Sequence, residues 1–253
     1  MKNLIENYGS TMKIVIGILF IVVAIVLVFI AYKHEKSRSK NSSPVKKMTA
    51  LAILSALSVL LYYFIKIPMS VFLPFMPPFL DIHFSAVPIY IAGFMFGPLS
   101  GTIVSVMRFL IKLPNSSTLG VGELADLIIA LFTVITAATI YHRNKSKKAA
   151  IKALTASVFV WMLVGILSNW LVTLPFYIEL YRFDAVFGML SVIPGITEAN
   201  FMLYYLIIAV IPFNLILSSL VSGITYLVYK RISVAYDKFD LKESYSKNHN
   251  EVK

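Results

Sequence analysis

The chain has no cysteine, which removes both a disulfide framework and any thiolate-ligated metal site. Charge is scarce as well. Asp, Glu, Lys and Arg make up 14% of the 253 residues, against 58% hydrophobic, a balance that excludes an ordinary soluble domain and describes an integral membrane protein. Acidic residues are the rarer sign, 12 against 23 Lys and Arg. This excess does not point to nucleic acid, because the basic residues gather in three blocks beside apolar spans, at 33–47, 143–152 and from Lys230 onward. That is the positive-inside pattern. Catalytic signatures are missing too: there is no GxSxG, no HExxH, no P-loop and no metal-spaced histidine set. Three of the four histidines (His34, His142, His249) fall in the basic blocks. The expectation is therefore no enzyme, no metal and no cofactor. An internal repeat is absent as well, which argues against a self-sufficient secondary transporter of the inverted-repeat kind.

What the chain does have is apolar length. Residues 14–32 read IVIGILFIVVAIVLVFIAY, long enough to cross a bilayer core of roughly 30 Å and too long for the core of a signal peptide. This predicts a transmembrane helix over 12–32, preceded by a short extracytoplasmic tail, 1–11. A basic, serine-rich linker over 33–47 separates it from the main domain, 48–231. Within that domain the spacing predicts six helices, over 48–65, 82–96, 98–113, 121–141, 153–177 and 201–229, with a long loop at 178–199. A cytoplasmic tail over 232–253 completes the chain. The fold class expected is all-α integral membrane, six transmembrane helices plus one extra N-terminal helix. Threaded this way, every basic block falls on one side, with the C-terminus cytoplasmic and the N-terminus extracellular.

The segment 72–101, FLPFMPPFLDIHFSAVPIYIAGFMFGPLSG, is the organising element. Pro74, Pro77, Pro78, Pro88 and Pro98 remove backbone donors and break regular helix, so 73–80 cannot be an ordinary spanning helix. Irregular backbone near membrane depth is tolerated where it lines a cavity. We read Phe79, Leu80, Asp81 and Ile82 as a lid over a bound solute. The small residues Ala92-Gly93 and Gly97 to Gly101 let two short helices meet closely at a turn.

Ionisable or amide side chains in apolar spans are costly and default to functional candidates. Arg108 either contacts substrate or pairs with Glu123 or Asp126. Those two carboxylates lie three apart and so share a face of one helix, where the helix dipole also favours them. Asn169 must bond a neighbouring helix or a ligand. Asn214 follows Pro212 and could satisfy carbonyls freed by a kink. Trp170 and Tyr177 fit a membrane-interface belt better than a pocket wall. Ala52 and Ala56, four apart, form a small-residue face on which another transmembrane helix could pack.

Taken in series, FLPFMPPFLDIHFSAVP, FMFGPLSGTIVSVMRFLIK, TLGVGELADLI, ILSNWLVTLPFY and IPFNLI resemble the substrate-binding S component of energy-coupling-factor (ECF) vitamin importers, most closely the riboflavin-type branch. The resemblance covers roughly 48–231. It implies a bacterial plasma-membrane protein that binds a vitamin in an exterior pocket and has no ATP site. Its partners would be a transmembrane scaffold and two ATPase subunits, with Ala52 and Ala56 matching the AxxxA face that docks on the scaffold. It keeps the basic residue of helix three as Arg108 and the helix-five asparagine as Asn169. Two positions depart: Ala86 replaces the aspartate of FSDIP or FSDVP, and Leu217 stands where the branch has a ligand-approaching lysine. The substrate-binding set is accordingly Phe79, Leu80, Asp81, Ile82, Arg108, Glu123, Asp126, Asn169, Asn214 and Leu217. Riboflavin or a related flavin is the implied substrate. Pantothenate is the alternative, since its carboxylate would suit Arg108.

Overall fold

Uninterrupted apolar runs become long helices in this chain, and prolines mark where they break or widen. The computed structural model describes residues 44–77, 79–116 and 118–250, together with 19, 22, 23 and 25–33; for 236–250 it describes the backbone alone. Helix α1 spans Pro44–Phe64, opening on a proline whose missing N–H costs nothing in a first turn. Strands β1 (Lys66–Pro68) and β2 (Asp81–His83) pair antiparallel, with Ile67 opposite Ile82. Between them a single 3-10 turn, Met69–Val71, leads into proline-rich turns with no α-helix among the described residues, and Met69 N–H donates to the Leu80 carbonyl at 2.8 Å to close the segment. The all-α expectation thus gives way here to a two-stranded hairpin, and the helix expected from residue 82 starts four residues later.

Helices α2 (Ala86–Phe96) and α3 (Pro98–Lys112) turn at Gly97, whose φ of 118° suits glycine alone. Their close packing on the next helix, α4 (Val121–Asn144), requires small residues. A Cβ at Gly101 would lie 2.4 Å from Val134 Cγ2, and one at Gly93 would lie 2.8 Å from the same atom. A Cβ at Gly101 would also lie 3.1 Å from the Ile89 carbonyl oxygen and 3.2 Å from Gly93 Cα on α2, the close meeting of two short helices that the small residues of 92–101 predict.

Helix α5 (Lys147–Ser168) is capped by Ser146, whose hydroxyl accepts from Ala149 N–H at 3.1 Å. It continues through a π-helical turn, Asn169–Thr173, into α6 (Leu174–Tyr181). Helix α7 (Phe183–Leu190) occupies part of what the sequence suggests is a loop. The short α8 (Phe201–Tyr204) leads through a second π-helical turn, Tyr205–Val210, into α9 (Ile211–Asn250). Each π turn is followed two residues later by a proline, Pro175 or Pro212, which leaves a carbonyl without its helical N–H partner and lets the turn widen.

Among the described residues four helical stretches are long and apolar enough to cross a membrane: Pro44–Phe64, Val121–Asn144, Lys147–Tyr181 and Phe201–Ala235. Helices α2 and α3 are shorter, and α2 is almost wholly enclosed by its neighbours. The expected N-terminal helix is described only in part; residues 25–33 are helical, and Ala31 is buried within the hydrophobic core. The tail 1–11 and most of the linker 33–47 lie outside the described residues. At the other end, the expected tail 232–253 continues α9 as helix as far as Asn250.

Candidate functional site

A cavity of about 380 Å³ opens where the hairpin, the start of α4, the first π turn and the start of α9 converge. That volume lies within the range of small-molecule sites, ~300–1,000 Å³. Phe79, Leu80 and Asp81 line one side; Gly122, Glu123 and Asp126 line another; Asn169, Thr173 and Tyr177 come from the C-terminal part of the α5–α6 rod. Asn214 and Leu217 on α9 complete the wall. The lid segment is held against the bundle by aromatic contacts: the Phe79 ring meets Tyr177 edge-on at 5.5 Å and lies 6.1 Å from Tyr205. Lys66 and Asp81 form a 2.8 Å ion pair diagonally across the two strands of the hairpin.

Strand alternation decides which lid residues reach the cavity. Asp81 and His83 line it, whereas Ile82 between them is buried and absent from the lining. Ile82 is thus a core residue, contrary to the sequence reading. Arg108 also stays out of the lining. Its guanidinium donates to Ser85 Oγ at 2.7 Å and pairs with Asp126 Oδ2 at 3.1 Å, and its side chain is 2% exposed. With that group engaged by the protein, the reason for favouring pantothenate is gone. The cavity wall carries two cations, Lys66 of β1 and Lys112, one turn beyond Arg108 along α3, and Lys112 is the buried one. Its ammonium pairs with the same Asp126 oxygen at 2.9 Å and sits 3.5 Å above the Tyr62 ring, a desolvated cation–π contact.

One carboxylate therefore compensates two buried cations, at 2% and 4% exposure, and this is the charge centre of the site. Ser85 extends it: its hydroxyl accepts from Arg108 and lies 3.0 Å from His83 Nδ1, while its carbonyl accepts from Ser58 Oγ. Burial pushes the His83 imidazole down to about 3, so the ring is neutral near neutral pH. A neutral ring can leave Nδ1 unprotonated and accept the Ser85 proton. Glu123 has a different task. It accepts from Ser116 and Thr118 hydroxyls and so ties the α3–α4 loop to the first turn of α4.

The two asparagines are both at the cavity and both fixed. Asn169 donates Nδ2–H to the Gly165 carbonyl at 2.8 Å and accepts the Tyr205 hydroxyl at Oδ1 at 2.7 Å. Asn214 donates to the Val210 carbonyl at 2.8 Å and accepts from Trp161 Nε1–H at 3.0 Å. Val210 closes the π turn before Pro212, but the carbonyl a proline at 212 leaves without its N–H is four residues back, at Ile208, so Asn214 bonds a different carbonyl from the one the sequence reading points to. Trp170 is half exposed on the outer surface, at 49%, but Tyr177 is buried and lines the cavity, so only the first fits a belt. Sequence reasoning missed Tyr62, Lys66, His83, Lys112 and Trp161. Lys112 was findable, being a lysine in an apolar helix one turn from Arg108. Ala52 and Ala56 lie away from the cavity, both exposed on α1, the least buried of the four long apolar helices.

Comparison with known proteins agrees with this architecture. Residues 46–229 match the family model described as ECF transporter, substrate-specific component. The chain is 31% identical to the riboflavin transporter RibU of Staphylococcus aureus over 78% of its own length and 95% of the relative's. It is also 31% identical to the riboflavin transporter RibU of Leuconostoc mesenteroides, over 68% of its length and 83% of that protein's. A solved structure described as the S component of a bacterial ECF transporter superposes with a TM-score of 0.58 at 29% identity, covering 76% of this chain and 97% of that one. With a match over most of its length and a fold shared with a solved S component, the chain belongs to the family of substrate-specific components of ECF transporters.

Proposed function

We propose that this protein is the membrane-embedded, riboflavin-binding S component of an ECF importer in a bacterial plasma membrane, and not an enzyme. The observation that carries the reading is the cavity: an open-mouthed space of about 380 Å³ with aromatic walls and two fixed amides, in a chain whose relatives are named riboflavin transporters. Aromatic walls suit a planar ring system, and amides suit its polar edge. In this reading Phe79, Leu80, Asp81, Glu123, Asp126, Asn169, Asn214 and Leu217 contact or enclose the ligand, and Arg108 acts through Asp126. The exposed Ala52–Ala56 face of α1 docks on a transmembrane scaffold that works with two ATPases. The domain at 48–231 comprises six membrane helices, the helix at 12–32 is an addition to it, and the C-terminus is cytoplasmic. Titration of the purified protein with riboflavin, followed by quenching of flavin fluorescence, tests the reading. Saturable one-to-one binding supports it, and absence of quenching at micromolar riboflavin overturns it.

A further inference from the structure

The two cavity asparagines are built alike, although they sit on different helices. A carboxamide offers two N–H donors and two oxygen lone pairs. In each case one N–H goes to the carbonyl four residues back, Gly165 for Asn169 and Val210 for Asn214. In each case one lone pair receives a proton from an aromatic side chain of another helical segment, the Tyr205 hydroxyl or the Trp161 indole. The orientation cannot be reversed. Indole N–H is a donor only, so the Asn214 oxygen must face Trp161, and a carbonyl accepts only, so the Asn169 nitrogen must face Gly165. Each amide keeps one N–H and one lone pair, and both residues line the same cavity. Tyr205 and Trp161 are themselves almost fully buried, at 0% and 3% exposure, and Tyr205 is not part of the lining.

We infer that Trp161 and Tyr205 are positioning residues that fix the donor and acceptor order of the cavity wall, so that the site selects a planar heterocycle whose edge carries adjacent carbonyl and N–H groups. This rests on the riboflavin reading above, since the flavin ring has such an imide edge. The Gly165 and Val210 carbonyls set which way each amide faces, and the aromatic donors hold it there, so neither amide turns to suit a ligand of the wrong order. Rejection of that ligand is then strong, because a locked amide left unpaired in a buried site loses its solvation without return.

Tyr205→Phe removes only the hydroxyl donor, while Trp161→Phe removes the indole N–H together with one ring of a side chain that lines the cavity, so the Tyr205 cycle is the cleaner of the two. Each is expected to weaken riboflavin binding roughly three- to tenfold. In double-mutant cycles, Trp161→Phe in an Asn214→Leu background and Tyr205→Phe in an Asn169→Leu background should have almost no further effect. The doubly substituted Phe variant should also discriminate less between riboflavin and its N3-methyl derivative than the wild type does. Losses that add across the cycles, or an unchanged riboflavin to N3-methylriboflavin ratio, overturn the inference while leaving riboflavin binding intact. A wild-type protein that binds no riboflavin overturns both this inference and the reading beneath it.

Discussion

Gly165 stands between the two amides, and replacing it by alanine tests the site with a single methyl group. Its carbonyl accepts from Asn169, and its Cα faces Asn214. A Cβ there would lie 2.7 Å from Asn214 Oδ1, 2.8 Å from Cγ and 3.0 Å from Nδ2. Ordinary contact begins near 3.4 Å, so the amide must retreat by about half an ångström or more. It has little room, because it is held by Trp161 at 3.0 Å and Val210 at 2.8 Å. Losing one of these bonds inside a buried site costs ~1–3 kcal/mol. The gain in helix propensity from glycine to alanine is ~0.8–1 kcal/mol and offsets only part of it. The expected outcome for Gly165→Ala is a small net loss of stability, about 1 kcal/mol, together with riboflavin affinity reduced about tenfold. Thermal unfolding in detergent and fluorescence titration give the two numbers. A variant that melts higher than wild type and binds riboflavin equally well would refute the reasoning, because Asn214 would then be free to move.

The remaining predictions address other parts of the account. Asn169→Leu should lower riboflavin affinity by ~1–3 kcal/mol, about tenfold or more, in a folded protein; unchanged affinity on titration would assign Asn169 to helix packing alone. Asp126→Asn should destabilise by ~3–5 kcal/mol, because Arg108 and Lys112 would lose their shared anion, and thermal unfolding would register the drop. A bulky residue at Ala52 or Ala56 should spare riboflavin binding yet abolish uptake in liposomes carrying the scaffold and ATPases. Equal loss of both would make the face an internal contact. Deletion of residues 1–40 should leave binding intact when measured on correctly inserted protein, and loss of binding would show that the domain starts earlier.

Much of this architecture was legible because membrane insertion imposes coarse, long-range patterns on sequence. Hydropathy located the four long apolar helices, and prolines ruled out helix across 73–80. The three segments expected to surround a pocket, 79–82, 122–126 and the outer part of the helix bearing Asn169, do meet at one cavity. Register was harder to read. Ile82 was grouped with its neighbours, but a three-residue strand turns alternate side chains apart, and sequence alone did not announce the strand. Arg108 and Lys112 are four apart on one helix and share Asp126, yet only the second reaches the cavity. No sequence rule separates a cation that lines a site from one that supports it. Trp161 and Tyr205 were invisible for a related reason, since aromatic residues in apolar helices look like core until their N–H or O–H is seen against an amide.

The central claim is that the cavity between the hairpin, α4, the first π turn and α9 holds a flavin. The most direct measurement is the absorbance spectrum of the protein purified without added ligand, followed by riboflavin titration of protein freed of any bound flavin. The account predicts a yellow preparation with a flavin spectrum, and one riboflavin bound per chain that excess pantothenate does not displace. A colourless preparation that ignores riboflavin but binds a different vitamin would contradict it.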